Sequence, residues 1–373
     1  MQSLSRLLRR GFGAERIASL LLFILIFGGV ALASVNLSAN LRARNIASGF
    51  GYLSQAAGFE IGETWIRYSS QMTIGRALLV GLVNTLVAST AIGILITLIG
   101  LCAGLVLAFG GEFGRASVKR YVGLTRNVPV LLHLVVWYAL FREGLPPPRG
   151  AFTFGSIVLS NRGLILPIPQ GHGGLIEPAI GLATAIGMIV VTRLFMGRWS
   201  KSWLAASIIG GIFVWLLLLP MNAPVLRGFN YVGGWVITPE FCALVLALAF
   251  YTGGYVTEIV RGSIESFPRG QVEGAFALGL SRTQFFFLVM TPQIARGIAP
   301  AMVNQYVNVT KATSLGIVVG YPDLVTVSNT ALNQTGQAVE AIALILATYL
   351  AISLAVSFVS QCVFGEPAER APR

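Results

Sequence analysis

The sequence predicts an all-α integral membrane protein with about eight spanning helices. Three observations carry that expectation. Of 373 residues, 55% are hydrophobic and only 11% charged, whereas a water-soluble domain carries about 25% charged residues to wet its surface. Mean hydropathy is +0.77. Apolar runs reach the ~20 residues, each rising ~1.5 Å, that a hydrocarbon core of ~30 Å requires.

The spans are read in chain order. The first is Ile17–Val35, followed by the second within the uncharged stretch Ala77–Gly111. The third, Tyr121–Phe141, is interrupted near its start by Arg126. The fourth and fifth are Pro178–Met196 and Trp203–Pro220. The sixth is Phe241–Val260, with Glu258 near its end; the seventh, Gly297–Val319, is unusually polar; the eighth is Ala341–Phe364. This divides the chain into a tail (1–16), an anchor (17–35), an extramembrane segment (36–76), a main body (77–364) and a second tail (365–373). The main body carries an insertion at 142–237, holding a loop and two spans, and a polar segment at 261–296. The insertion opens with Pro146-Pro147-Pro148 and continues through Gly171-His172-Gly173-Gly174, a composition that predicts an irregular surface loop. Arg9-Arg10, an apolar stretch and Ala31-Leu32-Ala33 also resemble a cleaved signal peptide; the length of the stretch favours an uncleaved anchor.

Charge sets the orientation. Lysine and arginine outnumber acids 26 to 14, a formal +12. With the N-terminus in the cytoplasm, fifteen basic residues fall in cytoplasmic segments and six on the other side, which satisfies the positive-inside rule. Both termini are therefore expected inside. The same distribution, small basic groups between long uncharged runs, excludes a nucleic-acid binder, which needs a basic patch or stripe.

Catalysis finds little support. Cys102, Cys242 and Cys362 have no metal or disulfide spacing. The two histidines are His133 and His172, and Asp323 is the sole aspartate, too few convergent groups for a hydrolase or metal site. No GxxxxGK[ST] phosphate loop is present, so ATP chemistry must come from another chain.

The segment 261–296 is the most informative. Pro268 and Gly270 stop the preceding helix. Gln271–Leu278 holds helix formers with apolar Val272, Ala275 and Phe276 at i, i+3, i+4. Gly279 supplies a tight turn. Ser281 with Gln284 three residues on predicts a capping box opening a helix over Arg282–Met290, which Pro292 closes. A compact helical hairpin with an apolar patch suits either docking of a protein partner or an ordinary interfacial loop.

Glu273-x-Ala275-x-x-x-Gly279, then nine residues, Val289-x-x-Pro292 resembles the EAA loop of ABC importer permeases. Gly274 stands where that pattern has its middle alanine, and Thr291 replaces leucine. Glu258-x-x-Arg261-Gly262, Arg126-Asn127-Val128-Pro129, Lys311-x-x-Ser314 and Asn84-Thr85 are similar to the polar amino-acid branch of that family. The extra N-terminal span, Asn45–Phe50, the inserted span pair and Gly320-Tyr321-Pro322-Asp323-Leu324 resemble the larger permease of general L-amino-acid importers. The resemblance implies a type I importer core with extra N-terminal and inserted helices, in the inner membrane. It implies that Glu273, Gly274, Ala275, Gly279 and Pro292 form the ATPase-coupling loop. The implied partners are a second homologous permease, an ABC ATPase dimer carrying the ATP, and a periplasmic amino-acid-binding protein; this chain itself holds no cofactor.

Intramembrane polar residues are costly and mark pathways or partner contacts. Asn304, Asn308 and Lys311 recur at helical spacing on one face, with Ser314 one step on and Gln305 beside them. They suit an L-amino-acid pathway or a permease–permease interface. Arg126 and His133 are candidates for a gate or an interface. The competing function is a stand-alone secondary carrier or channel, which requires inverted repeats and coupling acids; the sequence shows no convincing repeat and few acids placed near mid-bundle.

Overall fold

A computed structural model of the chain describes residues 12–43, 49–169 and 221–364. The expected spans Pro178–Met196 and Trp203–Pro220, His172 and both chain ends lie outside the described residues. Within them, four helices are long and apolar enough to cross a membrane, or five if one bent pair counts as a span.

The N-terminal helix α1 covers Phe12–Ala43, starting five residues before and ending eight beyond the expected span, and its apolar stretch Leu20–Phe27 is exposed. The described residues fall into two compact units, one of those up to Asn84 with Pro322–Ala355, and one of those from Thr85 to Tyr321 with the described residues from Val356 on.

The first unit contains a turn at Phe50–Ser54, the start of α2 (Ile74–Phe109), and a short helix Leu324–Thr335. Its core is Tyr52, Ala57, Ile74, Ala77, Val327 and Ala331. One polar node ties it together. The Asn84 side-chain amide donates to the carbonyls of Glu63 (2.9 Å) and Pro322 (2.8 Å). Asp323 caps the short helix, its Oδ1 accepting from the Thr326 N–H at 2.9 Å and the Thr326 hydroxyl at 2.7 Å. Burial pushes the Asp323 carboxyl above its ordinary pKa, and those hydrogen bonds oppose the rise.

In the second unit, α3 (Glu112–Asn127) and α4 (Val130–Ala139) replace the expected third span. They meet at 107° rather than forming one rod. The cause is Pro129, which bars its predecessor from the helical region; Val128 is extended, with φ −105° and ψ 127°. A π turn, Leu140–Gly144, ends α4.

The described part of the insertion is not an irregular loop. β1 (Phe152–Phe154), β2 (Ile157–Ser160), β3 (Gly163–Leu166), β4 (Ile168–Pro169), β5 (Met221–Asn222), β6 (Val225–Arg227), β7 (Asn230–Val232) and β8 (Trp235–Ile237) follow in order. β1, β2, β3 and β8 form an antiparallel sheet in that order, while β4–β5 and β6–β7 are separate pairs. Pro and Gly do mark turns here, but Phe-Thr-Phe, Ile-Val-Leu and Trp-Val-Ile between them are strand-forming.

Helix α5 (Pro239–Glu265) follows β8 directly, with Thr238 as its N-cap, accepting from the Phe241 N–H at 3.1 Å. It is mostly buried, and α3, α4 and the seventh span all pack on it. Glycines allow that approach. A Cβ on Gly100 or Gly104 of α2 lands 2.2 or 2.6 Å from Val256 or Val260, and one on Gly254 lands 2.1 Å from Thr125 Oγ1. Side chains lock the same contacts, with the Tyr121 hydroxyl donating to the Phe250 carbonyl at 2.7 Å and Tyr138 to Glu240 at 3.2 Å.

Gly254→Val is therefore expected to destabilise the protein by about 1–3 kcal/mol, the usual overpacking cost, read as a lower melting temperature in detergent. Gly262→Ala, whose added methyl meets nothing within 4 Å, is expected to raise stability by about 0.5–1 kcal/mol, because alanine is favoured over glycine within a helix.

Candidate functional site

The polar segment after α5 folds into a knob. α6 (Arg269–Ala277) ends at Leu278, Gly279 takes φ +79°, and α7 (Arg282–Gln284) begins after Ser281. Gly279 is exposed with nothing near its missing Cβ, so the left-handed backbone alone favours glycine there. The capping box is formed: Gln284 N–H donates to Ser281 Oγ at 3.2 Å, and Ser281 N–H donates to Gln284 Oε1 at 2.9 Å.

Ala275, Phe285 and Met290 make a small core, with Phe267, Val272, Leu280, Phe286, Val289 and Ile294 packed around it. The predicted apolar face of α6 thus turns inward at Val272 and Ala275. Phe276 stays partly exposed, its ring 5.6 Å from that of Phe285. Phe109, at the end of α2, meets Phe286 edge-on at 6.0 Å, so the knob rests on the helix bundle.

The opposite face of α6 is open. Glu273 and Gly274 are exposed, and Leu278 is 84% exposed. An alanine at Gly274 would meet no atom within 4 Å, so the departure from the alanine of the resembled pattern is not forced by packing.

Pro292 does not close the second helix. From Arg282 to Val318 the chain runs as one long helical element: α7, a π turn at Phe285–Met290, α8 (Thr291–Ala312) and a 3-10 turn at Thr313–Val318. A proline inside a helix loses one N–H and clashes with the preceding turn. The π turn widens the chain just before it, and the Thr291 hydroxyl donates to the Phe286 carbonyl at 2.7 Å, satisfying one acceptor there.

On this long helix the predicted polar stripe divides. Gln305 and Asn308 line a cavity of about 270 Å³ with Val130, Leu248, Tyr251, Thr252, Tyr255, Val309, Ala312 and Leu315. Asn304, Lys311 and Ser314 do not line it; Asn304 and Lys311 are exposed, and the Ser314 hydroxyl donates back to the Lys311 carbonyl at 2.8 Å. A second cavity of about 380 Å³ is lined by Arg126, Tyr255, Glu258, Ile259 and Gln305. Gln305 and Tyr255 belong to both. Arg126 thus reaches a cavity wall from the last turn of α3; Glu258, which lines the same cavity, pairs with Arg261 at 2.6 Å.

His133 is buried on α4 between the rings of Phe250 and Tyr251, at 5.7 and 5.8 Å, and its Nε2 has no hydrogen-bond partner. It borders the cavity wall through Tyr251 rather than lining it. The sequence reading missed Tyr251 and Tyr255, whose hydroxyls lie 3.1 Å apart. Their spacing of four places them on one helix face, a signal hidden in an otherwise apolar span.

The chain matches the model of the binding-protein-dependent transport system inner membrane component family over residues 96–365. The chain belongs to that family. The permease is 38% identical over 356 residues to the general L-amino acid transport system permease protein AapQ of Rhizobium johnstonii, covering 91% of this chain and 88% of that one. It is 30% identical over 383 residues to the glutamate/glutamine/aspartate/asparagine transport system permease protein BztB of Rhodobacter capsulatus, covering 91% and 90%. A solved amino acid ABC transporter, crystallised with histidines, is 19% identical with a TM-score of 0.47, covering 78% of the permease and 94% of that chain.

Gly279→Ala is expected to cost about 1–2 kcal/mol, the penalty for a side chain in the left-handed region. Ser281→Ala is expected to cost about 1 kcal/mol through the lost cap. Limited proteolysis of the purified permease at the knob reads both, as faster cleavage.

Proposed function

We propose that this chain is the transmembrane permease subunit of an ATP-driven ABC importer for polar and general L-amino acids in the bacterial inner membrane. It takes substrate from a periplasmic binding protein and pairs with a second homologous permease. ATP is hydrolysed by a separate ATPase dimer. Both termini face the cytoplasm, which puts the knob on the ATPase side.

The observation that carries this reading is the likeness to amino-acid permeases along nine-tenths of the chain. The knob supports it physically. A rigid turn holds α6 with Glu273 and Leu278 outward, while Ala275 and Phe285 keep the helix from slipping. An exposed leucine on a braced helix suits insertion into an apolar groove. The basic residues Arg269, Arg282 and Arg296 around it complement an acidic rim.

The substrate path is placed at the two adjoining cavities. Tyr251, Thr252, Tyr255, Gln305 and Asn308 offer hydroxyl and amide groups and no charge, suited to an amino acid's ammonium and carboxylate. Asn304 and Lys311, exposed on the same helix, are assigned to the permease–permease contact. Arg126 and Glu258 across the second cavity form the gate. A secondary carrier is disfavoured by membership of a binding-protein-dependent family.

The reconstituted complex is expected to take up glutamine or glutamate only with ATP and binding protein present. Uptake driven by an ion gradient without the ATPase would sink the proposal. Leu278→Asp is expected to lower ATP-driven uptake about tenfold or more by removing a docking anchor, at unchanged melting temperature. Gln305→Leu is expected to lower uptake while ATPase binding to the permease stays normal, as measured by co-purification.

A further inference from the structure

The sheet of the insertion has two unlike faces. Directly paired residues of an antiparallel sheet share a face, as do residues two apart in a strand. The register pairs Phe152 with Leu159, Leu159 with Leu164, and Leu164 with Ile237; Phe154 pairs with Ile157, and Leu166 with Trp235. One face therefore consists of Phe152, Phe154, Ile157, Leu159, Leu164, Leu166, Trp235 and Ile237, without a polar side chain. The other face holds the buried Val158, Ser160 and Ile165, and β3 packs on α5.

The all-apolar face carries the most exposed side chains, while the opposite face is open only at Thr153 and Val236. Phe154 is 68% exposed, Phe152 51%, Trp235 49% and Ile157 38%. A soluble sheet facing water alternates apolar-in with polar-out; this one has apolar residues on both sides.

Charge narrows the occupant. Between Glu143 and Glu240 the described residues carry Arg149, Arg162 and Arg227, all exposed, and no acid. The Arg149 guanidinium lies 4.3 Å over the ring of Phe229 at the tip of the β6–β7 hairpin, joining a cation to an exposed aromatic.

Position narrows it further. β8 ends at Ile237, and the apolar run of the spanning helix α5 begins at Phe241. Four residues of extended chain span at most ~14 Å, and the headgroup layer on each side of a bilayer is roughly 6 Å thick. The sheet is thus tethered beside the membrane boundary. Exposed Phe and Trp with arginine, at that depth, match the interfacial zone, where aromatic rings and headgroup phosphates meet.

We propose that this sheet is a membrane-surface module, lying with its apolar face on the bilayer and its arginines on anionic phospholipid headgroups. It anchors the insertion flat beside α5 instead of leaving it projecting into water.

The test uses the full permease complex in vesicles of phosphatidylethanolamine and phosphatidylglycerol, with Cys102, Cys242 and Cys362 replaced by alanine. A nitroxide is placed at Phe154→Cys and, in a second variant, at Trp235→Cys, so that one failing to fold leaves the other. Power saturation is expected to show collision with oxygen exceeding that with a water-soluble nickel chelate several-fold at both positions. Nickel exceeding oxygen places the face in water and overturns the proposal. Protection from both reagents means that protein covers the face, either another segment of this chain or a docked partner, and overturns it equally. The triple variant Arg149→Gln, Arg162→Gln, Arg227→Gln is expected to retain about half as much phosphatidylglycerol relative to phosphatidylethanolamine in native mass spectrometry. An unchanged ratio removes the headgroup contact.

Discussion

The close approach made possible by Gly100, Gly104 and Gly254 is the constraint on which the rest of the second unit depends. Helices in a bilayer gain little from hydrophobic sequestration against each other, so their association rests on van der Waals contact and hydrogen bonds. Small residues let the α5 backbone come near α2 and α3. Once there, Tyr121 and Tyr138 reach α5 with their hydroxyls. The cavity wall of Tyr251 and Tyr255 lies on this same helix, as does Glu258. A shift of α5 would therefore move the walls of both cavities, Glu258 and the first residues of the knob together.

Much of this was legible in the sequence, because the signals were local. The capping box at Ser281 and the turn at Gly279 need only a few residues to specify them, and both formed. So did the inward face at Val272 and Ala275. Pro129 carried its signal too, since a proline restricts the residue before it; hydropathy counted Tyr121–Phe141 as one run and masked the break. Pro292 misled for the opposite reason. Proline ends a helix only where nothing relieves it, and the relief here is a π turn closed by Thr291, which no spacing rule specifies.

The strands of the insertion were hidden by length. Three or four residues between glycines and prolines show too little alternation to read, and pairing of β3 with β8 joins residues some seventy apart in the chain. The polar stripe failed in part for a related reason. Spacing places Asn304, Asn308 and Lys311 on one face but does not say what faces them. The opposing wall decided that Gln305 and Asn308 border the cavity, and that wall comes from α5, whose tyrosines look like ordinary apolar-span residues.

The continuity of Arg282 through Val318 has a mechanical meaning. A helical hairpin closed at Pro292 would behave as a separate domain joined by a hinge, and displacement at its tip would dissipate in the joint. Here the cap at Ser281 and the cavity residue Gln305 belong to one continuous helical element, roughly 35 Å apart along it at ~1.5 Å per residue. A tilt of a few degrees at the tip becomes a sideways stroke of an ångström or more at Gln305. The π turn at Phe285–Met290 and Pro300 are the places where such an element bends, so they limit how much of a tilt reaches the cavity.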